Sequence, residues 1–379
     1  MIDIRKKEEC CGCYACKNAC PVSAIAMKSD EEGFWYPEVD KQKCIKCGKC
    51  LLVCPEVNKP KVYKEVETYA GYSKDKNTQL NSSSGAIFAI LAKTILSEGG
   101  AVCGAAFDEK FLVHHILIDD IQELELLIGT KYVQSRIENT YEDIKNCLLD
   151  KKTVLFSGTP CQVAGLKSFL KEDFDNLICV DLICHGVPSP TVWKKYLNEI
   201  SPKDPVVSIN FREKKEKKTN IKYTLQSGEC ILEDNSNSAY MKGFINNLFV
   251  RPSCYECKFK GIKRCSDITI GDFWGVNEYY PNFSNGFGVS SIIVHGEKGK
   301  LWIDKIKNNT NLISVKEKEL MLWNECLVKS VEMNKNRDFF FEKVQTNSIK
   351  EVVEELGQSS EKKEKKTILK KIINLKNKF

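Results

Sequence analysis

The chain has 379 residues, 42% of them hydrophobic, which is enough apolar material for two or three domains and at least one sizeable core. Its net charge of +6 marks no basic groove for nucleic acid, because residues 361–379 carry eight lysines against two glutamates and so account for all of it. The longest apolar stretch, Gly85 to Leu96, is broken by Lys93 and falls well short of the ~20 residues that cross a bilayer. Met1-Ile2-Asp3-Ile4-Arg5-Lys6-Lys7 is no secretory leader, so the nineteen cysteines are read as metal or redox groups in a reducing, cytoplasmic compartment.

Two cysteine runs open the chain, Cys10-x2-Cys13-x2-Cys16-x3-Cys20-Pro21 and Cys44-x2-Cys47-x2-Cys50-x3-Cys54-Pro55. The spacing matches that of bacterial ferredoxins, where three cysteines of a run hold one [4Fe-4S] cube and the fourth reaches across to the other. Cys10, Cys13, Cys16 and Cys54 are assigned to one cluster, and Cys44, Cys47, Cys50 and Cys20 to the second. Zinc is the rival reading, but its sites use separated cysteine pairs and four ligands per ion. Cys11 lies out of register and is read as a bystander. Residues 1–60 form the expected ferredoxin-like two-cluster domain, with Gly33 to Val39 making a small sheet between the runs.

Residues 61–68 read as a linker and 69–345 as an oxidoreductase core. A helical pattern from Ser83 to Glu98 ends at Gly99-Gly100 and feeds a strand, Ala101 to Phe107. A helix over Tyr141 to Asp150 precedes a strand at Thr153 to Phe156. Gly158-Thr159-Pro160-Cys161 opens a helix through Leu170, and Leu177 to Ile183 is a buried strand ending at Cys184-His185-Gly186. This alternation predicts an α/β core with a largely internal sheet, following the α+β ferredoxin module. Glu213 to Lys218 reads as a hairpin tip or solvated loop. Residues 346–379 read as a charged helical tail. Ile368, Leu369, Ile372, Ile373 and Leu375 give it either a peripheral membrane-binding face or merely one side of a solvated helix.

Cys161, Cys184 and the pair Cys254-x2-Cys257 stand beside turn-forming residues. Spacing alone leaves zinc, a redox pair and a joint iron-sulfur site open. Cys161 and Cys184 each follow a predicted buried strand, which allows them to meet at one sheet edge. Five stretches, in order, carry a resemblance: Ser82-Ser83-Ser84-Gly85, Gly129-Thr130-Lys131-Tyr132-Val133-Gln134-Ser135, Ser157-Gly158-Thr159-Pro160-Cys161-Gln162, Val180-Asp181-Leu182-Ile183-Cys184-His185-Gly186, and Cys254-Tyr255-Glu256-Cys257 followed by Ser266 to Gly275. Through them residues 69–345 resemble the coenzyme F-420 hydrogenase/dehydrogenase beta-subunit family, in its polysaccharide-biosynthesis-associated branch with a fused ferredoxin domain. The resemblance implies a flavoprotein core with a third [4Fe-4S] cluster on Cys161, Cys184, Cys254 and Cys257 beside noncovalent FAD. One departure is Gly85-Ala86, where the family often has Gly-Gly. Cys265 matches no ligand, and Cys103, Cys147, Cys179, Cys230 and Cys326 are read as buried thiols.

A flavin fits this chemistry, since it joins the single electrons of iron-sulfur cubes to the electron pair of a hydride. Ser82, Ser83, Ser84 and Gly85 either seat the FAD pyrophosphate at a helix N-terminus or simply cap that helix. Lys131 and Tyr132 offer charge and a stacking surface to the cofactor, against an exposed Lys and a core Tyr. His185, and with it Lys131, is a candidate catalytic residue; a hydrogen bond from His185 to sulfur or backbone is the alternative. Asp267 and Asp272 are expected to brace the turn around the third cluster. No Walker loop occurs, Gly286-Phe287-Gly288 is too short for a dinucleotide fingerprint, and Ser23 and Val57 stand where a radical S-adenosylmethionine motif would need cysteine. The expectation is a cytoplasmic iron-sulfur oxidoreductase moving electrons between ferredoxin-type clusters and an FAD-bound hydride acceptor or donor. Its expected partner is an electron-carrying protein or a deazaflavin coenzyme. The alternative is an electron-transfer subunit with no small-molecule substrate.

Overall fold

The computed structural model describes residues 1–215 and 218–357, without the side chains of 215–219; the expected amphipathic face of the tail, 368–375, lies outside the described residues. The N-terminal module is a hairpin of β1 (Ile25–Ser29) and β2 (Trp35–Val39), set between the two cysteine runs. Each run makes one short helix, Ala15–Asn18 or Lys49–Leu52, around its third cysteine. The runs share a backbone as well as a spacing. Gly12 and Lys46 are left-handed at φ 69° and 55°, and Tyr14 and Gly48 at 65° and 77°.

The remaining strands are β3 (Val66–Ser73), β4 (Ala101–Phe107), β5 (Val113–Ile118), β6 (Val154–Gly158), β7 (Leu177–Leu182), β8 (Val206–Lys215), β9 (Lys218–Leu225), β10 (Cys230–Asp234), β11 (Ile268–Asp272), β12 (Ser290–His295) and β13 (Thr310–Ser314). Eight of them form one sheet in the order β13-β3-β12-β11-β7-β6-β4-β5, and β10-β9-β8 form a second. The large sheet is parallel in its middle, β4-β6-β7-β11, and antiparallel at both flanks. Its central strands are buried on both faces, which explains their near-continuous apolar sequences. Leu155, Ile178 and Val180 pack under the helices Ile87–Ser97 and Gly296–Ile306, whereas Phe156, Leu177 and Cys179 face the helices Thr140–Leu149 and Pro160–Leu170.

The helix expected from Ser83 begins instead at Ile87, because Ser84 (φ 50°) and Ala86 (φ 68°) are left-handed and keep the serines in a turn. Gly85 is required there, since a Cβ would lie 2.2 Å from the Gly71 carbonyl oxygen. Ala86 occupies a left-handed position that glycine would take at lower cost. Asp267 does not brace the third cysteine group: it sits at the amino end of β11, fully buried, accepting from the Cys179 N–H (2.7 Å) and the Tyr63 hydroxyl (2.8 Å). Three supposed buried thiols also differ, since Cys230 is exposed and Cys147 and Cys326 are half-buried. Of the stretch expected as a hairpin tip or loop, Glu213 to Lys215 and Lys218 belong to the paired strands β8 and β9.

The ferredoxin module is fastened to the core through Arg251, which is completely buried. Its Nε donates to the Cys10 carbonyl (2.8 Å), its Nη2 to the Trp35 carbonyl (3.0 Å) and its Nη1 to Gln134 Oε1 (3.2 Å). The guanidinium also lies 4.3 Å from the Tyr36 ring centroid. Gly12 passes so close that a Cβ would meet Gln134 at 2.7 Å and Arg251 at 3.0 Å. At the hairpin turn Arg337 makes a two-pronged ion pair with Glu32, in contact with both carboxylate oxygens. Arg251→Ala strands three buried acceptors and is expected to cost on the order of 3 kcal/mol or more. Thermal unfolding against wild type checks this; an unchanged midpoint would show that the module does not depend on this anchor.

Candidate redox site

The structure gathers the N-terminal cysteines into two neighbouring groups. Cys10, Cys13, Cys16 and Cys54 lie within mutual electrostatic reach, and a backbone N–H is directed at each sulfur, from Gly12, Ala15, Lys17 and Glu56 respectively. Cys20, Cys44, Cys47 and Cys50 line a second hollow, where the N–H groups of Ala24 and Ile2 donate to Cys20 Sγ and Cys50 Sγ, both at 3.2 Å. Such donors stabilise anionic sulfur and suit thiolate ligation. The first group is buried in the molecule, and the second opens at its surface, where Cys47 is exposed.

A third group forms where the central parallel strands end. β6 runs into Thr159, which caps the helix Pro160–Leu170 in a capping box with Gln162 and so fixes Cys161 in the helix's first turn. Cys184 follows β7, the adjacent strand, and Cys254 ends a one-turn 3-10 helix that Arg251 precedes. These three, with Cys257, line one cavity, as the sheet-edge argument expects. Cys11 lines it too. Its thiol lies within electrostatic reach of both Cys13 and Cys161, so the residue read as a bystander stands between the first cysteine group and the third. Burial pushes the Cys184, Cys254 and Cys257 thiols up, and Cys161 is raised by Cys11 and then by burial. Binding metal here therefore means displacing protons. Lys260 and Arg264 bring positive charge to the lining, against the single carboxylate Glu56. Among the described residues no three His, Cys, Asp or Glu side chains converge on a point that would hold a single metal ion.

Beyond Cys184 opens a cavity of about 570 Å³, within the range of cofactor pockets. Cys184, His185 and Gly186 line both it and the third cysteine cavity. Ser82, Ser83 and Ser84 border it ahead of the Ile87–Ser97 helix. Ser84 is committed to structure, its Oγ donating to the Val289 carbonyl (2.9 Å), and Ser83 Oγ accepts from the Thr130 N–H (2.9 Å). Ser82 Oγ is buried with no partner, an unmet hydrogen-bonding group in a pocket large enough for a cofactor. Gly85 supplies backbone only, its N–H donating to Ser290 Oγ (2.9 Å). Tyr132 lines the cavity with its ring between Phe211 and Phe244. Lys131 also borders it, but its Nζ donates to the carbonyls of Leu126, Ile128 and Gly129 (2.9, 3.1 and 3.2 Å). Burial pushes that ammonium down to about 7.

Comparison with known proteins finds two family matches in the chain. Residues 9–58 match the 4Fe-4S dicluster domain, and residues 151–319 match the family described as the carboxy-terminal part of the coenzyme F420 hydrogenase/dehydrogenase beta subunit. Residues 9–58 are thus of the 4Fe-4S dicluster kind, and residues 151–319 are similar to the carboxy-terminal part of that beta subunit. The F(420)H(2) dehydrogenase of Methanosarcina mazei includes a subunit that is 19% identical over 88% of this chain and 92% of its own length. The ketoisovalerate oxidoreductase subunit VorC of Methanothermobacter marburgensis is 39% identical over 15% of this chain and 75% of its own length. A chain of the F420-reducing [NiFe] hydrogenase complex from Methanosarcina barkeri, solved as a xenon derivative, is 15% identical with a TM-score of 0.48, covering 76% of this chain and 94% of that one. Among the described residues no helix is long and apolar enough to cross a membrane.

Several cavity residues carry no signal in the sequence. Arg212 reaches across from β8 to pair with both oxygens of Asp272 (2.7 and 3.0 Å), which fixes Asp272 at the cavity rather than around the third cysteine group. Cys326 lines the cavity with its Sγ 3.4 Å from His185 Nδ1. Asn247 donates its amide to the Glu332 carbonyl (3.0 Å) and therefore offers Oδ1 to His185 Nε2 at 2.7 Å. The His185 ring is thus held with its proton on Nε2 and its Nδ1 turned to the Cys326 thiol. His115 is likewise fixed: Nε2–H donates to the Ser157 carbonyl (3.0 Å) and Nδ1 accepts from the Ser135 hydroxyl. Burial lowers His115 to about 4. An unfolded histidine binds its proton near 6.5, so this group's contribution is present above that pH and is lost as pH falls from about 6.5 to about 4, on the order of 3 kcal/mol in all. His115→Gln is expected to lose less stability than wild type between neutral pH and pH ~5 by denaturant titration; equal losses would show that His115 is not the acid-sensitive group.

Proposed function

We propose that this chain is an iron-sulfur flavoprotein oxidoreductase. Cys10, Cys13, Cys16 and Cys54 hold one [4Fe-4S] cluster, Cys20, Cys44, Cys47 and Cys50 a second, and Cys161, Cys184, Cys254 and Cys257 a third. FAD occupies the large cavity, with Ser82 and Ser83 toward its phosphates and Tyr132 against it. The observation that carries this reading is continuity. The outer cysteine group adjoins the inner one, Cys11 of the first run lines the cavity of the third group, and Cys184 and His185 belong to the walls of both remaining cavities. Bound flavin would supply exchange between single electrons and a hydride.

The chain's own residues have three tasks in this scheme. Backbone N–H groups and the cations Arg251, Lys260 and Arg264 favour anionic sulfur. The Ser82–Gly85 turn presents a helix N-terminus to phosphate. His185 holds its Nδ1 beside the Cys326 thiol, where a proton is available to a ligand in the cavity. The cavity of about 570 Å³ would serve FAD in a relay subunit as well as in an enzyme; it is the fusion of the ferredoxin module to the core, joining electron entry to a flavin site in one chain, that favours an enzyme with its own substrate. That substrate is a deazaflavin coenzyme, or an unsaturated bond or keto group on a sugar- or lipid-linked metabolite; the partner is an electron-carrying protein in the cytoplasm. The domain division that goes with this reading is 1–60 and 69–345, with β3 starting inside the expected linker at Val66 and with Ile349, Val352 and Val353 of the expected tail buried in the core.

Protein purified without oxygen is expected to contain about twelve iron and one FAD per chain; Cys184→Ser or Cys257→Ser should fall to about eight iron, and Cys11→Ser should stay near twelve. Iron, sulfide and released-flavin assays check this. About eight iron and no flavin in the wild type would overturn the reading of the core and leave only the N-terminal clusters.

A further inference from the structure

The two cysteine runs have the same spacing and the same left-handed turns, so their positions can be compared directly. Cys11 of the first run corresponds to Ile45 of the second, Asn18 to Leu52, and Gly12 to Lys46. In the first run these positions are the docking face onto the core. Cys11 meets Cys161, Gly12 lies against Arg251, and Asn18 Nδ2 donates to the Glu138 carbonyl at 2.9 Å. Their counterparts in the second run face outward. Ile45 is 61% exposed and Leu52 62% exposed, with Leu51 and Val22 also apolar and open beside the hollow lined by Cys20, Cys44, Cys47 and Cys50.

This outer face has a definite charge. Lys41, Lys43, Lys46 and Lys49 are all exposed around it, and residues 41–53 include no Asp or Glu. The adjacent carboxylate, Asp40, is 3.8 Å from Lys43 and accepts from the backbone N–H groups of Gln42 and Lys43. Lys46 holds a left-handed φ of 55°, where its counterpart in the first run is a glycine. A second copy of this face would be repelled by four lysines, so self-association is disfavoured. Exposed apolar groups inside a ring of one charge match a transient partner of opposite charge.

We infer that this face docks a small acidic one-electron carrier protein, in the place on the second run that the core occupies on the first. The inference rests on the proposed reading of Cys20, Cys44, Cys47 and Cys50 as a cluster site. Binding, not turnover, tests it. Full-length protein with its iron content verified is titrated with an acidic two-cluster ferredoxin by calorimetry, at about 20 mM and about 300 mM salt.

Wild type is expected to bind, with affinity falling about tenfold or more at the higher salt. Lys43→Glu/Lys46→Glu/Lys49→Glu, with unchanged iron, should bind at least about tenfold more weakly. Leu52→Glu, which leaves the lysines intact, should weaken binding as well. Zero-length carbodiimide cross-links should map to Lys46 and Lys49. Undiminished binding by both variants, or binding to anionic phosphatidylglycerol vesicles with none to the ferredoxin, would overturn the docking face while leaving the cluster assignment in place. Loss of about four iron in Cys44→Ser tests that assignment separately.

Discussion

One buried guanidinium holds the first and third cysteine groups in register. Arg251 is three residues before Cys254 in the third cysteine group, and its Nε is bonded to the carbonyl of Cys10 in the first. The side chain is thus a short, rigid link between two sulfur groups that belong to different parts of the chain. Its other acceptors, Trp35 and Gln134, belong to the module's hairpin and to the segment below the cavity. All of these acceptors are neutral oxygens. A fully buried cation with neutral acceptors is costly unless negative charge arrives nearby, and the neighbours able to provide it are Cys10, Cys11 and Cys254, whose charges act on Arg251. The anchor and the chemistry therefore depend on the same thiols.

The sheet explains why the third group and the large cavity adjoin. β6 and β7 are parallel neighbours, so their carboxyl ends open on the same edge, and the segments leaving them bring Cys161 and Cys184 together. β11, next in the sheet, ends at Asp272 on the same side. Open α/β sheets bind ligands at that edge because successive chain crossovers diverge there and leave a crevice. The antiparallel flanks add His115 of β5 and Ser290 of β12 to its lining. β8 then crosses over, with Arg212 held to Asp272 and Lys214 donating to the Ser84 carbonyl (2.6 Å), so the small sheet ties the serine turn to the end of β11.

Much of this was legible from local pattern. The spacing of the cysteine runs needs only short-range geometry, and Ala101 to Phe107 matches β4 residue for residue because a doubly buried strand is an uninterrupted apolar run. Thr159 and Gln162 announce their helix through a capping box. What the sequence hid is of another kind. The left-handed turn through Ser84 and Ala86 delays a helix whose hydrophobic pattern starts earlier, and no periodicity reports a sign of φ. Cys11, out of register in its run, acquires a role only through Cys161, far away in sequence. Cys326 and Arg212 reach the cavity from late or crossing segments, and their partners His185 and Asp272 are set by tertiary packing alone.

Two like runs in unlike surroundings give the module a direction. Two runs with one backbone need not have equivalent surroundings, and here they do not: the first has a glycine, a thiol and an asparagine that fit the core, and the second has a lysine and aliphatic groups in water at the same positions. Burial raises the cost of charging a site, whereas nearby cations and N–H donors offset it. The inner group has Arg251 and four directed N–H groups but no solvent, and the outer group has solvent and a ring of lysines. The same ligand spacing is therefore placed in two different electrostatic settings. The asymmetry belongs to the surroundings rather than to the cysteines, so exchanging the residues between the cysteines of the two runs would disturb docking at both ends while leaving all eight thiols in place.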